Sequence, residues 1–345
     1  MDLEKRIQAF GRLGAIFREN RNEQLHTAIV KANQHNGWFT TENIHMAIFS
    51  LGEMLREESL KQWLLKYPSL SPKSQGAAKN VAVIMAGNIP LVGFHDFLCV
   101  LMSGSSFLGK LSSDDQFLLP AVADLLIGLE TGFKGKIKFS DSLRTSKSDI
   151  AAVIATGSNN SARYFEYYFK KYPHVIRRNR NAVAVLDGKE TLTDLQNLGK
   201  DIFQYFGMGC RSVSKIYVPH DYNLDKFFEA IVDFGEVINH NKYCNNYQYH
   251  RSIYLLNSDK FLDNNFLMLK ESGQIASPVA TLHYERYSNK DDLLRKLEEH
   301  KEPIQCVVAG SGILQLRCIP FGQAQSPELW DYADGVDTME FLLNL

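Results

Sequence analysis

The residue best suited to covalent chemistry is a cysteine in a glycine-rich turn. Cys210 lies in residues 206–212 (FGMGCRS), between a predicted helix and a predicted strand that begins at Val213. Glycine accepts the tight backbone conformations that let a substrate carbonyl approach closely, and a thiolate is a strong nucleophile. A cysteine in such a place is also often a small buried hydrophobic residue. Both interpretations stay open on the local sequence alone.

Two glycine-containing turns follow predicted strands and have the composition of ligand-binding loops. Gly87 lies in residues 85–90 (MAGNIP), and Gly157 lies in residues 155–160 (ATGSNN). In open α/β sheets, ligands bind beyond the carboxyl ends of the strands, where helix N-termini offer backbone donors. Taken alone, each turn is more simply a plain strand-to-helix connection. No G-x-G-x-x-G follows a predicted strand, so the common dinucleotide fingerprint is missing.

A lysine and a serine close another predicted strand. Lys110 and Ser112 can hydrogen-bond a ribose or a phosphate. An ordinary solvated strand end explains the same two residues.

The elements that must position these residues change along the chain from helical to alternating patterns. Apolar residues recur at helical spacing from Phe10 to Phe17, and a longer helix starts near Thr41. The stretch from Ser69 to Asn80 contains prolines, serines and a glycine, which predicts a linker. After it, short apolar runs alternate with helical patterns, as a parallel sheet covered by crossover helices requires.

The alternation forms two series. The first has predicted strands at 80–85, 106–111, 136–139 and 150–155, and helices at 94–102, 117–129 and 162–172. The second has predicted strands at 181–186, 213–218, 252–256, 279–283 and 305–308, and helices at 192–206 and 224–238. We therefore predict an α/β fold with a helical N-terminal segment (1–74), a nucleotide-binding domain (75–185), a catalytic domain with Cys210 (186–320) and a C-terminal segment (321–345).

Composition excludes several classes of protein. Hydrophobic residues make up 45% and charged residues 22% of the chain, as in soluble globular enzymes. A formal net charge of −1 gives no general attraction to nucleic acid or to an anionic membrane. The five scattered cysteines show neither a pairing pattern nor metal-ligand spacing, so we expect a reducing cytoplasm and no metal site. We also expect no secretory signal and no membrane-spanning helix.

Four of the sites, taken in order along the chain, resemble those of the aldehyde dehydrogenase superfamily. They are Asn88, Lys110, the Gly157-Ser158 pair and Cys210. The resemblance implies the superfamily's fold, with an open, mostly parallel nucleotide-binding sheet and an α/β catalytic domain. It also implies that Asn88 helps to bind an oxyanion and that Cys210 is the nucleophile. The implied cofactor-binding residues are Gly87, Lys110, Ser112, Thr156, Gly157 and Ser158.

A missing glutamate and a matching C-terminal segment narrow the resemblance from the superfamily to one family within it. Superfamily members that oxidise aldehydes to acids use a glutamate to activate water, and residues 171–180 (KYPHVIRRNR), where it would fall, contain none. Without that base, hydrolysis of an enzyme thioester should be slow. Residues 319–342 look like the end of the bacterial luminescence fatty acid reductases (LuxC-like) and related acyl-CoA reductases. The resemblance to this family covers residues 75–345.

This narrower resemblance implies reduction of an acyl thioester to an aldehyde through an acyl-cysteine on Cys210. The implied substrate is an acyl-CoA or an acyl-protein thioester, and the implied cofactor is NADPH, with NADH as the alternative. By analogy we also expect a homo-oligomer that pairs through the C-terminal segment. Two alternatives stay open, namely a conventional NAD(P)⁺-dependent aldehyde dehydrogenase and an inactive homologue that acts as an acyl carrier or assembly partner.

Three further features near the missing glutamate have two interpretations each. His174 can lower the pKa of the nucleophile or carry a proton, although a lone histidine beside a strand is more often structural. The arginines of residues 177–180 can meet a phosphate of CoA or NADP, whereas a solvated strand edge is the simpler explanation. The aromatic helix that contains residues 164–169 can line an acyl tunnel or pack on the sheet.

Overall fold

A computed structural model describes residues 1–70, 79–141, 150–312, 314 and 317–345. Its contacts divide the chain into two compact units, one of residues 1–179 with 327–345 and the other of residues 180–326. The predicted α/β fold with a helical N-terminus is confirmed. Within the described residues, none of the helices combines the length and the hydropathy needed to cross a bilayer.

The first unit begins with four helices and continues as alternating strands and helices. The N-terminal helices are α1 (Leu3–Glu19), α2 (Glu23–His35), α3 (Thr41–Met54) and α4 (Glu57–Leu64). The alternating elements are β1 (Asn80–Ile84), α5 (Phe94–Met102), β2 (Ser106–Lys110), α6 (Leu118–Leu129), β3 (Ile137–Phe139), β4 (Ile150–Thr156), α7 (Asn159–Phe169) and β5 (His174–Arg177).

The first sheet has its strands in the order β3-β2-β1-β4-β5, and all neighbours are parallel. The chain adds β2 and β3 on one side of β1 and then returns to add β4 and β5 on the other side. The reversal falls between β1 and β4. Open α/β sheets bind ligands at such a reversal, in the crevice beyond the carboxyl ends of the strands.

The N-terminal helices and the first sheet share one hydrophobic core. Helix α1 is capped by Asp2, and its apolar residues at helical spacing are buried, as the pattern predicts. Phe10 is fully buried and makes edge-to-face contacts with Phe97 at 6.3 Å and Phe133 at 5.8 Å between ring centroids. The helices therefore cover one face of the sheet that carries the predicted cofactor loops.

The second unit is a six-stranded sheet with its own helices. Its elements are β6 (Asn181–Val185), α8 (Leu192–Phe203), β7 (Val213–Pro219), α9 (Leu224–Ala230), α10 (Asn241–Leu256), β8 (Leu262–Asp263), β9 (Met268–Glu271), β10 (Thr281–Tyr287), α11 (Lys290–Glu299) and β11 (Ile304–Ala309). The strand order is β11-β6-β7-β10-β9-β8, with only the β8–β9 pair antiparallel among the named strands. The predicted domain bounds stay a prediction. The predicted nucleotide-binding domain ends at residue 185 and so includes β6, whereas β6 pairs within this second sheet.

The C-terminal segment returns to the first unit and ends in α12 (Thr338–Leu343). Leu329, Met339 and Leu342 are buried in the core of that unit. The Tyr332 hydroxyl accepts a hydrogen bond from the Trp63 indole at 2.7 Å. These contacts place much of the segment inside its own unit, and its expected role in oligomerisation stays a prediction.

Several predicted elements differ from the structure. Residues 252–256, predicted as a strand, are the last turns of α10, which buries Tyr243, Tyr247 and Tyr254 along one side. Their β-branched and aromatic composition favours a strand, but burial of this tyrosine row fixes a helix. The predicted helix 224–238 breaks after Ala230 into a 3₁₀ segment. Most of the predicted 69–80 linker lies outside the described residues.

Candidate active site

The loops that follow β1, β2 and β4 lie at one edge of the first sheet, which is the edge formed by the carboxyl ends of its parallel strands. Ile84, the last residue of β1, pairs with Lys110 of β2 on one side and with Ala155 of β4 on the other. The Met85 N–H then donates to the Lys110 carbonyl at 3.1 Å. The structure thus brings seven predicted site residues to the same edge: Gly87, Asn88, Lys110, Ser112, Thr156, Gly157 and Ser158.

The backbone at Gly87 passes unusually close to the loop after β2. A Cβ atom added to Gly87 would lie 2.5 Å from the Ser112 Oγ and 3.1 Å from the Asp114 Cβ. The Ser112 Oγ itself accepts a hydrogen bond from the Asp114 N–H at 3.2 Å. Because any side chain at position 87 would displace Ser112, the glycine is required to keep these two loops together.

The turn after β4 leads directly into the N-terminus of α7. The Ser158 Oγ caps this helix by accepting the Ser161 N–H at 3.2 Å. A Cβ on Gly157 would lie 3.0 Å from the Ser161 Cβ and 3.1 Å from the Phe165 ring. The Ser158 hydroxyl is therefore already engaged, and the turn offers chiefly its backbone N–H groups and the helix dipole.

A buried carboxylate that the sequence did not reveal fixes the loop containing Asn88. Leu91 in this loop has a left-handed backbone (φ +57°), and its N–H donates to the Asp115 Oδ2 at 2.9 Å. Burial raises the pKa of Asp115 to about 6, partly offset by hydrogen bonds from backbone N–H groups. The Asn88 side chain lies on an exposed part of this loop. Asp115 thus holds the strained turn beside Asn88.

His174 does not lie with these loops. It begins β5 and pairs with Val153 in the middle of β4, whereas Gly157 follows the end of that strand. Its Nδ1 lies 2.8 Å from the Tyr172 carbonyl oxygen, and the residue is exposed. The structure gives His174 a local backbone contact, and its catalytic role stays a prediction.

Arg177 is not part of a solvated strand edge. Its guanidinium forms an ion pair with Asp96 at 2.5 Å and donates to the Thr338 Oγ1 at 2.9 Å, and both charged side chains are buried. Although burial lowers the pKa of Arg177, the Asp96 charge raises it above its usual value. Only its neighbour Arg178 matches the solvated interpretation, since it is exposed and pairs with Glu166 at 2.7 Å. Arg177 therefore joins β5, α5 and α12 in the core of the first unit.

The aromatic helix α7 divides its rings between two environments. Phe165 and Phe169 pack against the apolar cluster on the sheet face, as expected for a helix that covers a sheet. Tyr164, Tyr167 and Tyr168 are exposed. The packing interpretation therefore holds for the two phenylalanines.

In the second unit, Cys210 lies in a turn between α8 and β7. The helix predicted to reach residue 206 ends at Phe203, because Tyr205, Phe206 and Gly207 take successive left-handed conformations with φ of +53°, +57° and +76°. This reverses the chain before the cysteine. Phe206 is anchored by stacking on the His240 ring at 4.3 Å.

The turn itself closes on two hydrogen bonds. The Ser212 N–H donates to the Gly209 carbonyl at 3.0 Å, and the Gly209 N–H donates to the Ser212 Oγ at 3.1 Å. Cys210 lies between them and is half-buried, while Ser212 is fully buried. Strand β7 begins at Val213, inside the second sheet. Cys210 thus lies in a short turn attached directly to β7, and its role as a nucleophile stays a prediction.

A segment near the C-terminal end of the second unit supports this turn. The Gln325 Nε2 donates to the Ser212 Oγ at 3.0 Å, and the Arg211 Nε donates to the Ala324 carbonyl at 2.5 Å. The carboxylate of Asp201 on α8 accepts the Gly322 N–H at 2.6 Å and the Ala324 N–H at 2.9 Å. Asp201 was not identified from the sequence. The signal that could have revealed it is an acidic residue on the face of α8 that buries Leu198 and Ile202.

A comparison with protein families matches residues 12–233 to the family described as Acyl-CoA reductase (LuxC). The chain belongs to this acyl-CoA reductase family. The match includes every predicted site residue, from Gly87 to Cys210, and the predicted family is confirmed. The match ends at residue 233, so the resemblance of residues 319–342 stays a prediction.

Solved structures with a similar fold are aldehyde dehydrogenases and related enzymes of low identity. Aldehyde dehydrogenase 21 from Physcomitrella patens, in complex with the reaction product succinate, has a TM-score of 0.70 at 11% identity and covers 100% of this chain and 84% of its own. An aldehyde dehydrogenase from Bacillus cereus in complex with NAD⁺ has a TM-score of 0.63 at 12% identity, over 90% and 72%. An oxidoreductase from Marinobacter aquaeolei has a TM-score of 0.70 at 11% identity, over 95% and 79%.

At these identities the likeness shows the aldehyde dehydrogenase fold and no more. A comparison with curated proteins found no match. Family membership and fold together describe an acyl-CoA reductase family member with the aldehyde dehydrogenase fold. Within the part of the chain that the structure describes, histidine, cysteine and acidic side chains form no cluster suited to a metal ion.

Proposed function

We propose that this acyl-CoA reductase family member reduces an acyl thioester, with fatty acyl-CoA as the expected substrate, to the corresponding aldehyde. The observation that carries the proposal is the glycine-rich Cys210 turn at the start of β7, within a chain of this family. The absence of a glutamate from residues 171–180 supports reduction of the acyl group over its hydrolysis.

Cys210 is the proposed nucleophile. Its thiolate attacks the thioester carbonyl, the carbon–sulfur bond to CoA breaks, and CoA leaves as a thiol after it takes a proton. After reduction, collapse of the thiohemiacetal releases the aldehyde and restores the Cys210 thiolate. We assign stabilisation of the oxyanion at each stage to the Asn88 side chain and the Cys210 N–H, as the family resemblance implies.

The edge of the first sheet fits a nicotinamide dinucleotide. Gly87 keeps the backbone open beside Ser112, and the N-terminus of α7 follows Gly157 at the reversal of strand order. Lys110 and Ser112 are the proposed ribose contacts, and Thr156, Gly157 and Ser158 the proposed contacts nearer the nicotinamide. When bound, a reduced nicotinamide supplies the hydride. We propose NADPH, with NADH as the alternative.

Replacement of Asn88 by alanine is expected to lower kcat/KM for the acyl thioester by about 100- to 1000-fold, because loss of one oxyanion donor costs about 3 kcal/mol. Steady-state oxidation of NADPH measures the effect. Asn88→Asp keeps the shape but replaces the donor with a negative oxygen, and it should lose as much activity. Asn88 is exposed, so both variants should keep the wild-type melting temperature. Activity within threefold of wild type would remove Asn88 from the site.

Replacement of Gly87 by alanine is expected to raise the KM for the nicotinamide cofactor about tenfold, equivalent to about 1.4 kcal/mol. The added methyl group would collide with Ser112 and separate the two loops. Titration of cofactor fluorescence measures the affinity directly. Gly128→Ala is the matched control, because a Cβ at that position meets no atom within 4 Å. Equal cofactor affinity in both variants would contradict the proposed site.

A substrate panel tests the proposed reaction. Butyryl-, octanoyl- and palmitoyl-CoA are each incubated with NADPH or NADH, and both nicotinamide oxidation and aldehyde are measured. At least one pair should give aldehyde in equal amount to oxidised cofactor. Acid production from aldehyde and NAD(P)⁺ without CoA would instead identify a conventional aldehyde dehydrogenase. An acyl adduct on Cys210 without turnover would indicate an acyl carrier, and neither turnover nor an adduct would indicate an assembly partner.

A further inference from the structure

Asp201 is a buried carboxylate with an unusual pair of partners. It lies on α8, nine positions before Cys210, and is almost completely buried. Burial raises its pKa to about 6, and the backbone N–H groups of Gly322 and Ala324 act in the opposite direction. Each carboxylate oxygen accepts one of these N–H groups. A buried charge held by two main-chain donors fixes the segment 322–325 against α8.

The segment 322–325 then contacts both sides of the Cys210 turn. Its Ala324 carbonyl accepts the Arg211 side chain, and its Gln325 amide donates to the Ser212 hydroxyl. The same Ser212 oxygen accepts the Gly209 N–H, so Gln325 and Gly209 share one acceptor. A Cβ at Gly209 would lie 3.6 Å from the Gln325 amide, which shows that this side chain covers the turn.

We propose that Asp201 is a positioning residue for the nucleophile, acting through segment 322–325 to fix the orientation of the Cys210 turn and of the Cys210 N–H. This inference rests on the proposed function, because it gives the orientation of the turn a role in acyl transfer to Cys210. The turn that contains the Cys210 N–H is closed by hydrogen bonds between Gly209 and Ser212, and segment 322–325 contacts the residues on either side of Cys210. The contacts from Arg211 and Gln325 restrain the turn. Asp201 holds Ala324 directly and Gln325 through the adjoining peptide.

Two reactions at Cys210 separate positioning from general damage. Alkylation by iodoacetamide needs an accessible Cys210 thiolate and forms no oxyanion, whereas acylation by octanoyl-CoA also needs the N–H that stabilises the oxyanion. Both rates are measured on the full chain by mass spectrometry of the Cys210 peptide. The variants are Asp201→Asn, whose amide nitrogen cannot accept an N–H, and Gln325→Ala. Their controls are Asp233→Asn and Gln248→Ala, which change exposed residues of the same unit outside segment 322–325.

We expect both variants to acylate about tenfold more slowly than wild type, while alkylation changes less than twofold and the controls match wild type. The double variant should be no slower than the slower single variant, because both act through one chain of contacts. Wild-type acylation rates in either folded variant would overturn the proposal. So would a parallel loss of both reactions, which indicates general damage.

Gln325→Ala leaves Asp201 in place and so carries the test if Asp201→Asn does not fold. Failure of the proposed function looks different. In that case the wild-type chain itself takes no acyl group from butyryl-, octanoyl- or palmitoyl-CoA, although iodoacetamide still modifies Cys210, and the positioning role falls with it.

Discussion

A Cys210→Ala chain is expected to form no measurable aldehyde from any acyl-CoA, with kcat/KM reduced by at least about 10³-fold. The reason is that the proposed reaction passes through a covalent thioester, and no neighbouring group can replace the sulfur. The turn should keep its shape, since its two closing hydrogen bonds join Gly209 and Ser212 and do not use the Cys210 side chain. Aldehyde formation and NADPH oxidation, followed together, measure the effect.

Two other cysteines of the second unit provide matched controls. Cys244 and Cys318 are also half-buried, and burial raises the pKa of the Cys318 thiol, which makes it a poorer nucleophile. Alanine at either position should leave turnover within twofold of wild type. If Cys210→Ala retained a tenth of the activity, or if Cys244→Ala lost it, the nucleophile would have to be reassigned.

Replacement of Arg177 by methionine is expected to destabilise the first unit by about 3–5 kcal/mol, because it leaves the Asp96 carboxylate buried without its counter-ion. It also removes the hydrogen bond to Thr338 in α12. Urea denaturation followed by tryptophan fluorescence measures this unit selectively. The three tryptophans, Trp38, Trp63 and Trp330, all lie within it.

Arg178→Met is the matched control, since this neighbouring arginine is exposed and its ion pair with Glu166 should contribute less than about 1 kcal/mol. A double variant, Asp96→Leu with Arg177→Met, should recover much of the lost stability because no unpaired charge remains. A urea midpoint unchanged in Arg177→Met would show that the ion pair is not what holds β5 and α12 together.

The elements predicted well from sequence are those with a strong apolar pattern. Helix α5 has its predicted bounds of Phe94–Met102, and β1 and β2 agree within one residue. Helix α5 and β1 are short and almost wholly buried runs, and β2 alternates buried and half-buried residues. The turns at Gly87 and Gly157 were likewise predictable, since each follows a buried strand. The structure places both at one edge of the first sheet. The order of the site residues along the chain indicated the superfamily, and the missing glutamate together with residues 319–342 indicated the family, which the comparison shows over residues 12–233.

What the sequence could not reveal depends on contacts between distant residues. Asp201 meets Gly322 and Ala324 more than a hundred positions later, and no local pattern encodes that pairing. Arg177 belongs to a basic run whose composition predicts solvent exposure. It is buried instead, because its guanidinium forms an ion pair with Asp96 on α5. Residues 252–256 carry strand-like side chains, and the row of buried tyrosines on α10 overrides that local preference.

The most direct test of the central claim is the mass of the Cys210 peptide after the wild-type chain is incubated with octanoyl-CoA in the absence of nicotinamide, then with NADPH added. We predict an octanoyl group on Cys210 that hydroxylamine removes, that persists in buffer, and that leaves as octanal when NADPH is added. An unmodified Cys210, or an octanoyl group released as octanoic acid at the same rate with and without NADPH, would contradict the account.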